Sequence, residues 1–125
     1  MIVGTGIDIV EVPRIAKSIE RFGERFLTRV FTAAEIAYCD GKANRMERFA
    51  ARFAAKEAAM KAIGTGMRGG VTWQDFEVVR ELTGRPTMQF HGKAAQVAER
   101  LGVRRSHLSV SHTTEHAVAY VVLEN

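Results

Sequence analysis

Two carboxylates of this chain stand where a charged side chain needs a partner. Asp8 lies in the β-branched run Ile2–Val12, flanked by isoleucines, and aspartate is poorly suited to a strand interior. Glu57 lies in the alanine-rich run Arg52–Gly66, where helical spacing places it at the edge of the apolar face. If the two meet, they form a hard-oxygen site. With phosphate oxygens and water completing an octahedron, the natural ion for such a site is Mg²⁺.

Each carboxylate also has a simpler interpretation. Glu57 could form an ordinary i,i+4 surface pair with Lys61. Asp8 could be a charge that keeps an edge strand from aggregating. The residue pattern leaves both alternatives open.

Cations and glycines around the same run are suited to binding phosphate. Arg52 and Lys61 belong to it, Gly64 and Gly66 supply unobstructed backbone N–H groups near the helix end, and Arg85 stands in the turn sequence TGRP. These groups could bind phosphate if they converge, although the glycine spacing is not that of a Walker motif. Two carboxylates with several cations favour a magnesium–phosphate enzyme. A nucleic-acid binder would more often carry exposed aromatics between its basic residues.

A basic stripe follows the first strand. Its cations fall within about a third of a helical circumference; they are Arg14, Lys17, Arg21, Arg25 and Arg29. Such a stripe is commonly a solvated face. Because five cations with few interleaved acids repel one another without a partner, an anionic partner is the alternative.

Composition limits the class of protein. The chain has 125 residues, a net charge of +4 and an isoelectric point of about 9.6, which predicts one domain over residues 1–125 and favours anionic partners. Cys39 is its one cysteine, so no intramolecular disulfide forms and a reducing compartment fits. The first residues lack a basic n-region, and no stretch has the roughly 20 apolar residues of a membrane span. We therefore expect a cytoplasmic protein without a membrane partner.

The periodicity predicts an α+β fold, an antiparallel sheet with helices packed on one side. The predicted helices are Arg14–Val30, with Gly23 as a candidate break, then Ala33–Cys39 with a capping box, Met46–Ile63 and Gly92–Gly102. The predicted strands are Ile2–Val12, Trp73–Leu82, Thr87–Phe90, His107–Ser111 and Ala117–Leu123. His112 and His116 fall in the connection between the last two strands rather than on a helix. A zinc site is therefore disfavoured, whereas His112 at a strand end could hold another ligand.

Four segments of the chain resemble the holo-[acyl-carrier-protein] synthases, small bacterial members of the 4'-phosphopantetheinyl transferase superfamily. They are GTGIDIVEVPRI, RFAAKEAAMKAIGTG, TGRP and SVSHTTEHAVAYVVLEN. The resemblance covers nearly the whole chain, with the segments in the expected order. It implies the fold of that superfamily and transfer of 4'-phosphopantetheine from coenzyme A to a serine of apo-acyl carrier protein. Adenosine 3',5'-bisphosphate would leave, in a step of fatty acid biosynthesis.

The resemblance also implies roles for individual residues. By motif position Asp8 and Glu57 would be the Mg²⁺ ligands, and Lys61 would stabilise developing phosphate charge. The serine proton would pass to Glu57 or to a metal-bound water. The residues implied to bind coenzyme A are Arg52, Lys61, Gly64, Arg85, Pro86, His112 and Thr113. Those implied to meet the acidic helix of the carrier protein are Arg14, Arg21 and Arg25.

The family forms trimers with active sites between neighbouring subunits. This would put Asp8 and Glu57 on one subunit and part of the coenzyme A site on the next. Two other functions are compatible with the residue pattern alone. One is a non-catalytic module that docks an acidic protein or nucleic acid through the basic stripe, and its binding would not depend on Asp8 or Glu57. The other is a nucleotide phosphohydrolase that uses the same metal pair and needs no protein acceptor.

Overall fold

The computed structural model describes residues 1–125. Its helices are α1 (Val12–Phe22), α2 (Glu24–Val30), α3 (Ala33–Asp40), α4 (Arg45–Ile63) and α5 (Gly92–Arg100). Its strands are β1 (Ile2–Glu11), β2 (Phe76–Arg80), β3 (Pro86–Phe90), β4 (Arg105–His112) and β5 (His116–Glu124). Short 3₁₀ turns at Arg68–Gly70 and Trp73–Asp75 lead from α4 to β2. None of the helices combines the length and apolarity that crossing a membrane requires.

The strands form two antiparallel sheets. One has the order β1-β5-β4, and the other is the β2-β3 hairpin. Helix α4 lies against one face of the three-stranded sheet and is buried along most of its length. The opposite face of that sheet is open, and Ile7, Ile9 and Tyr120 are exposed on it. The α+β fold predicted from the periodicity is confirmed, with the strands divided between two sheets.

Two glycines let α4 lie directly on β1. A Cβ atom at Gly6 would collide with the backbone carbonyl of Ala58, and one at Gly4 would collide with that of Ala62. Both alanines are buried, so small residues on the strand and on the helix set the close spacing. Glycine inside a strand often marks such a close approach of another backbone. The close approach places Asp8, the next residue on the same face of β1, beside the helix.

We predict that Gly6→Ala destabilises the protein by roughly 1–3 kcal/mol, since the new methyl group meets backbone rather than a movable side chain. Gly41→Ala is the matched control, because its Cβ would meet only ordinary contacts at 3.7 Å and its φ of −79° suits any residue. Urea denaturation of both variants measures the difference. Equal midpoints for the two variants would contradict the packing described here.

Local signals set most element boundaries. Gly23, with φ of 54°, separates α1 from α2 as predicted. Thr32 caps α3 in the predicted capping box with Glu35. The prediction that β2 begins at Trp73 is wrong, because the Asp75 backbone N–H donates to the Thr72 carbonyl at 3.1 Å and closes a 3₁₀ turn first. The strand then begins at Phe76.

The core contains a buried ion pair that the sequence analysis missed. Lys56 Nζ lies 2.7 Å from Glu35 Oε1, and both side chains are fully buried. Lys56 also donates to the carbonyl oxygens of Trp73, at 3.3 Å, and Phe76, while Glu35 Oε2 accepts from the Val78 N–H at 2.8 Å. Burial lowers the pKa of Lys56 from its ordinary 10.5, and the charge of Glu35 opposes that shift. The pair ties α3, α4 and the start of β2 together.

Candidate active site

Asp8 is held at the contact between β1 and α4. Its side chain is 17% exposed, and Oδ1 accepts a hydrogen bond from Lys61 Nζ at 3.1 Å. The same ammonium donates to the carbonyl of Ile7 at 2.9 Å. Lys61 is thus paired with Asp8 and not with Glu57, and the interpretation of Glu57 and Lys61 as a surface pair is wrong. Although β1 is an edge strand, Asp8 faces the helix.

Glu57 is half-buried on α4, and its charge interacts with that of Asp8. Its Oε2 accepts a hydrogen bond from the indole Nε1 of Trp73 at 3.2 Å. The pKa of Glu57 is raised above its ordinary 4.5, chiefly by burial. The hydrogen bond from Trp73 opposes this increase, and the negative charge of Asp8 adds to it. The structure therefore brings together the two carboxylates that the sequence singled out.

The donor set of this pair suits Mg²⁺. Asp8 uses only Oδ1, and Glu57 only Oε2, in hydrogen bonds within the chain, which leaves one oxygen of each carboxylate free. No group of three or more His, Cys, Asp or Glu side chains is arranged to hold a metal ion. Two carboxylates completed by waters and substrate phosphates are the usual environment of Mg²⁺ in enzymes that act on phosphates.

A second feature is an arginine-rich cavity of about 180 Å³ between α4, the β2-β3 hairpin and β4. It brings together three residues predicted to bind coenzyme A, namely Arg52, Pro86 and His112. Arg48 and Arg80 also line it, and the sequence analysis missed both. The spacing of Arg48 one turn before Arg52 is a signal that could have identified it.

The ring of Tyr38 organises the arginines beside this cavity. Arg52 Cζ lies 4.3 Å from the centroid of the ring and Arg80 Cζ lies 5.2 Å from it, which are cation–π distances. Arg48 Nη1 donates to the Tyr38 hydroxyl at 3.4 Å. The Nε of Arg52 is buried without a hydrogen-bond partner, and His112 Nδ1 lies 2.9 Å from Glu47 Oε1. A buried donor that lacks a partner, among several cations, is suited to an anionic ligand.

The remaining residues predicted to bind coenzyme A do not line this cavity themselves. Gly64 ends α4 with φ of 79° and lines a separate depression with Arg68 and Lys93. Arg85 is exposed in the β2-β3 hairpin. Thr113 closes the β4-β5 turn, where its N–H donates to the His116 carbonyl at 2.8 Å. Arg85 and Thr113 adjoin in sequence the cavity residues Pro86 and His112, whereas Gly64 belongs to the other depression.

The two carboxylates and the arginine cavity lie on different sides of α4. Glu57 follows Arg52 by five residues, which places it about 140° farther around the helix axis. Lys61 lies one turn beyond Glu57, again away from the cavity. A single chain therefore presents two separate half-sites.

The basic stripe forms an exposed surface on α1 and α2. Arg14, Arg21 and Arg25 are all exposed, and none of them takes part in an ion pair of this chain. A shallow depression within this surface is lined by Ser18, Phe22, Arg25, Phe26 and Arg29. Apolar rings surrounded by unpaired arginines make a surface that suits an acidic, partly apolar protein helix.

Comparison with known proteins identifies the family. A model described as the 4'-phosphopantetheinyl transferase superfamily matches residues 4–121. The chain belongs to this superfamily. This match and the relatives described next confirm the family, the fold class and the transferase activity that the sequence predicted.

Relatives within the superfamily cover the full chain. The holo-[acyl-carrier-protein] synthase of Koribacter versatilis is 78% identical over 125 residues, which is 100% of both chains. The crystal structure of the holo-[acyl-carrier-protein] synthase of Neisseria meningitidis has a TM-score of 0.89 and 36% identity, with 100% of both chains covered. The Helicobacter pylori synthase, solved in complex with coenzyme A, has a TM-score of 0.84 and 30% identity, with 96% of this chain and 99% of that chain covered.

Proposed function

We propose that this chain transfers the 4'-phosphopantetheine group of coenzyme A to a serine of an apo-acyl carrier protein. The serine oxygen bonds to the phosphorus that carries pantetheine, and the bond from that phosphorus to the bridging oxygen breaks. Adenosine 3',5'-bisphosphate leaves with the bridging oxygen. The observation that carries the proposal is that Asp8 and Glu57 face each other across the β1–α4 contact closely enough for their charges to interact, with Lys61 bound to Asp8.

Three side chains of β1 and α4 act on the reacting phosphates. Asp8 and Glu57 would hold Mg²⁺, which when bound neutralises charge on the pyrophosphate. Lys61, fixed by Asp8 Oδ1 and the Ile7 carbonyl, stabilises negative charge on the departing phosphate. Because the pKa of Glu57 is raised, its carboxylate is the group of the site best suited to accept the serine proton.

The arginine cavity binds the nucleotide part of coenzyme A in this proposal. Arg52 contributes the buried Nε that lacks a partner, and His112 is oriented by Glu47. We propose that Arg48 and Arg80, which line the same cavity, bind the nucleotide part as well. The other predicted contacts, which are Gly64, Arg85 and Thr113, extend the site around the cavity and the end of α4.

We further propose that the active protein is a homotrimer whose sites lie between subunits. Within one chain the carboxylates and the arginine cavity lie on different sides of α4, whereas coenzyme A must reach both. A neighbouring subunit can supply the missing half. The open sheet face offers apolar surface for such assembly, since Ile7 is 57% exposed and Ile9 is 67% exposed and large exposed apolar residues commonly mark interfaces.

Mixed oligomers test this arrangement. We expect Glu57→Gln and Arg52→Ala to be nearly inactive alone, whereas co-expressed subunits should recover about one quarter of wild-type activity, because random pairing leaves that share of interfaces intact. The matched control is a mixture of Asp8→Asn with Glu57→Gln. Since both carboxylates belong to the same half-site, that mixture should recover nothing. Equal recovery in the two mixtures would contradict sites shared between subunits.

The basic surface on α1 and α2 is proposed to dock the carrier protein. We predict that the double change Arg21→Glu and Arg25→Glu raises KM for the carrier protein by about tenfold or more with little change in kcat, because surface charges act mainly on encounter. Initial rates at two salt concentrations measure the effect, and the wild type should lose more of its rate at high salt than the variant. Arg104→Glu, in the exposed connection between α5 and β4, serves as the control. An unchanged KM in the double variant would refute docking through this surface.

We also propose the cytoplasm as the site of action. Cys39 is the one cysteine of the chain and is fully buried. Burial raises the pKa of its thiol to about 11, so the thiol stays protonated and unreactive. A fold without disulfides suits a reducing compartment, and fractionation of cells that express the protein tests this assignment.

A further inference from the structure

Glu57 has a single hydrogen-bond partner in the chain, and that partner is Trp73. The indole Nε1 lies 3.2 Å from Glu57 Oε2. Lys61, the cation one turn farther along α4, is engaged by Asp8 and the Ile7 carbonyl instead. The direction of the Glu57 carboxylate is therefore set by the indole.

The backbone segment that carries the indole is hydrogen-bonded to two neighbouring elements. Lys56, the residue before Glu57, donates to the Trp73 carbonyl at 3.3 Å, and its position is fixed by Glu35 at 2.7 Å. On the other side of the segment, the Gln74 amide donates to the carbonyl oxygens at the end of α2, including that of Phe31 at 2.9 Å. The Trp73–Asp75 turn is thus hydrogen-bonded both to the end of α2 and to α4, the helix that carries Glu57.

The indole ring has side-chain neighbours as well. The ring of Phe53 lies 6.3 Å from the Trp73 ring, centroid to centroid. Arg29 Cζ lies 5.6 Å from the same ring, and Arg29 belongs to the basic surface proposed to dock the carrier protein. A half-buried tryptophan with these contacts has little freedom to turn its N–H away from Glu57.

We propose that Trp73 is a positioning residue for the transfer, whose indole N–H holds the Glu57 carboxylate toward Asp8. This inference rests on the proposed function, since it assigns Trp73 a role in that same site. Groups that orient metal-binding side chains commonly contribute 10- to 100-fold to metal affinity or activity. Phenylalanine at this position would keep most of the packing and lose the donor.

Comparison of Trp73→Phe with Phe53→Leu tests the role of the donor. Trp73→Phe removes the N–H, whereas Phe53→Leu loosens the packing around the ring and leaves the N–H on Glu57. We expect the Mg²⁺ concentration for half-maximal transfer to rise about tenfold in Trp73→Phe and to stay within twofold of wild type in Phe53→Leu, with KM for coenzyme A little changed in both. An unchanged Mg²⁺ dependence in Trp73→Phe would overturn the proposal. So would equal shifts in the two variants.

A spectroscopic measurement on the wild-type fold gives a second readout. Trp73 is the only tryptophan of the chain, so the indole emission comes from this one residue. Adding Mg²⁺ in the presence of coenzyme A should change the emission of the wild type and leave that of Asp8→Asn constant. Constant emission in the wild type would count against the positioning role, even if Trp73→Phe failed to fold. If the emission responds but no group is transferred, the proposed function fails, whereas the contact between Trp73 and the Mg²⁺-binding carboxylates stands.

Discussion

Replacing Glu57 with glutamine is expected to lower kcat for phosphopantetheine transfer by about 10²- to 10⁴-fold, the range for loss of a group that takes up a proton in the transition state. Glutamine has nearly the same shape, and its amide oxygen can still accept the Trp73 hydrogen bond. It lacks the negative charge and the basicity, so it can neither hold Mg²⁺ well nor accept the serine proton. The rate of holo-carrier formation at saturating coenzyme A measures the loss.

The pH profile provides an internal check on this prediction. Only ionised Glu57 is active, and its pKa is raised in the metal-free site, so at low Mg²⁺ the activity of the wild type should fall, as the pH is lowered, before an ordinary glutamate would become protonated. Protons and Mg²⁺ compete for the same carboxylate. Raising Mg²⁺ should therefore move the acid limb of kcat/KM to lower pH. Glu99→Gln on the surface of α5 is the control. A Glu57→Gln enzyme with near wild-type kcat would contradict the role of Glu57 as proton acceptor and Mg²⁺ ligand.

Replacing Lys56 with methionine is expected to cost about 3–5 kcal/mol of stability, because it leaves the buried Glu35 without its counter-ion. The side chain of Glu35 is fully buried, and the remaining backbone N–H donors, from Thr32 and Val78, satisfy its oxygens without neutralising its charge. Two carbonyl groups would also lose the Lys56 donor. Urea denaturation, with the slope compared between variants, measures the change.

A double-mutant cycle separates the ion pair from simple packing. Glu35→Gln combined with Lys56→Met removes both charges and should be more stable than Lys56→Met alone, because no uncompensated charge remains buried. If the double variant is as unstable as the sum of the single variants, the two side chains are not coupled. In that case the ion pair does not explain the loss.

Features set by local sequence were open to prediction. The two-residue period of a strand places Asp8 on the same face as the glycines that contact α4. The capping box at Thr32 and the break at Gly23 depend only on neighbouring residues, and both were correctly predicted. The helix that carries Glu57 was clear from its alanines and from its stop at Gly64.

Features that depend on distant residues could not be predicted. Glu57 and Trp73 are 16 residues apart, and Lys56 meets Glu35 only after α3 packs on α4. In the sequence, Lys56 resembles any lysine of an exposed helix. The arginine cavity forms where the β2-β3 hairpin approaches α4, so the contribution of Arg80 appears only in three dimensions.

The most direct test of the proposed function is intact-protein mass spectrometry of an apo-acyl carrier protein. The carrier is incubated with coenzyme A, Mg²⁺ and this protein, and the experiment is repeated without Mg²⁺ and with Glu57→Gln. We predict a mass gain of one 4'-phosphopantetheine group on the carrier that requires both Mg²⁺ and Glu57. No gain across several carrier proteins that bind the folded protein at low salt would contradict the transferase and favour a docking module. Release of phosphate from coenzyme A without a carrier would favour a phosphohydrolase instead.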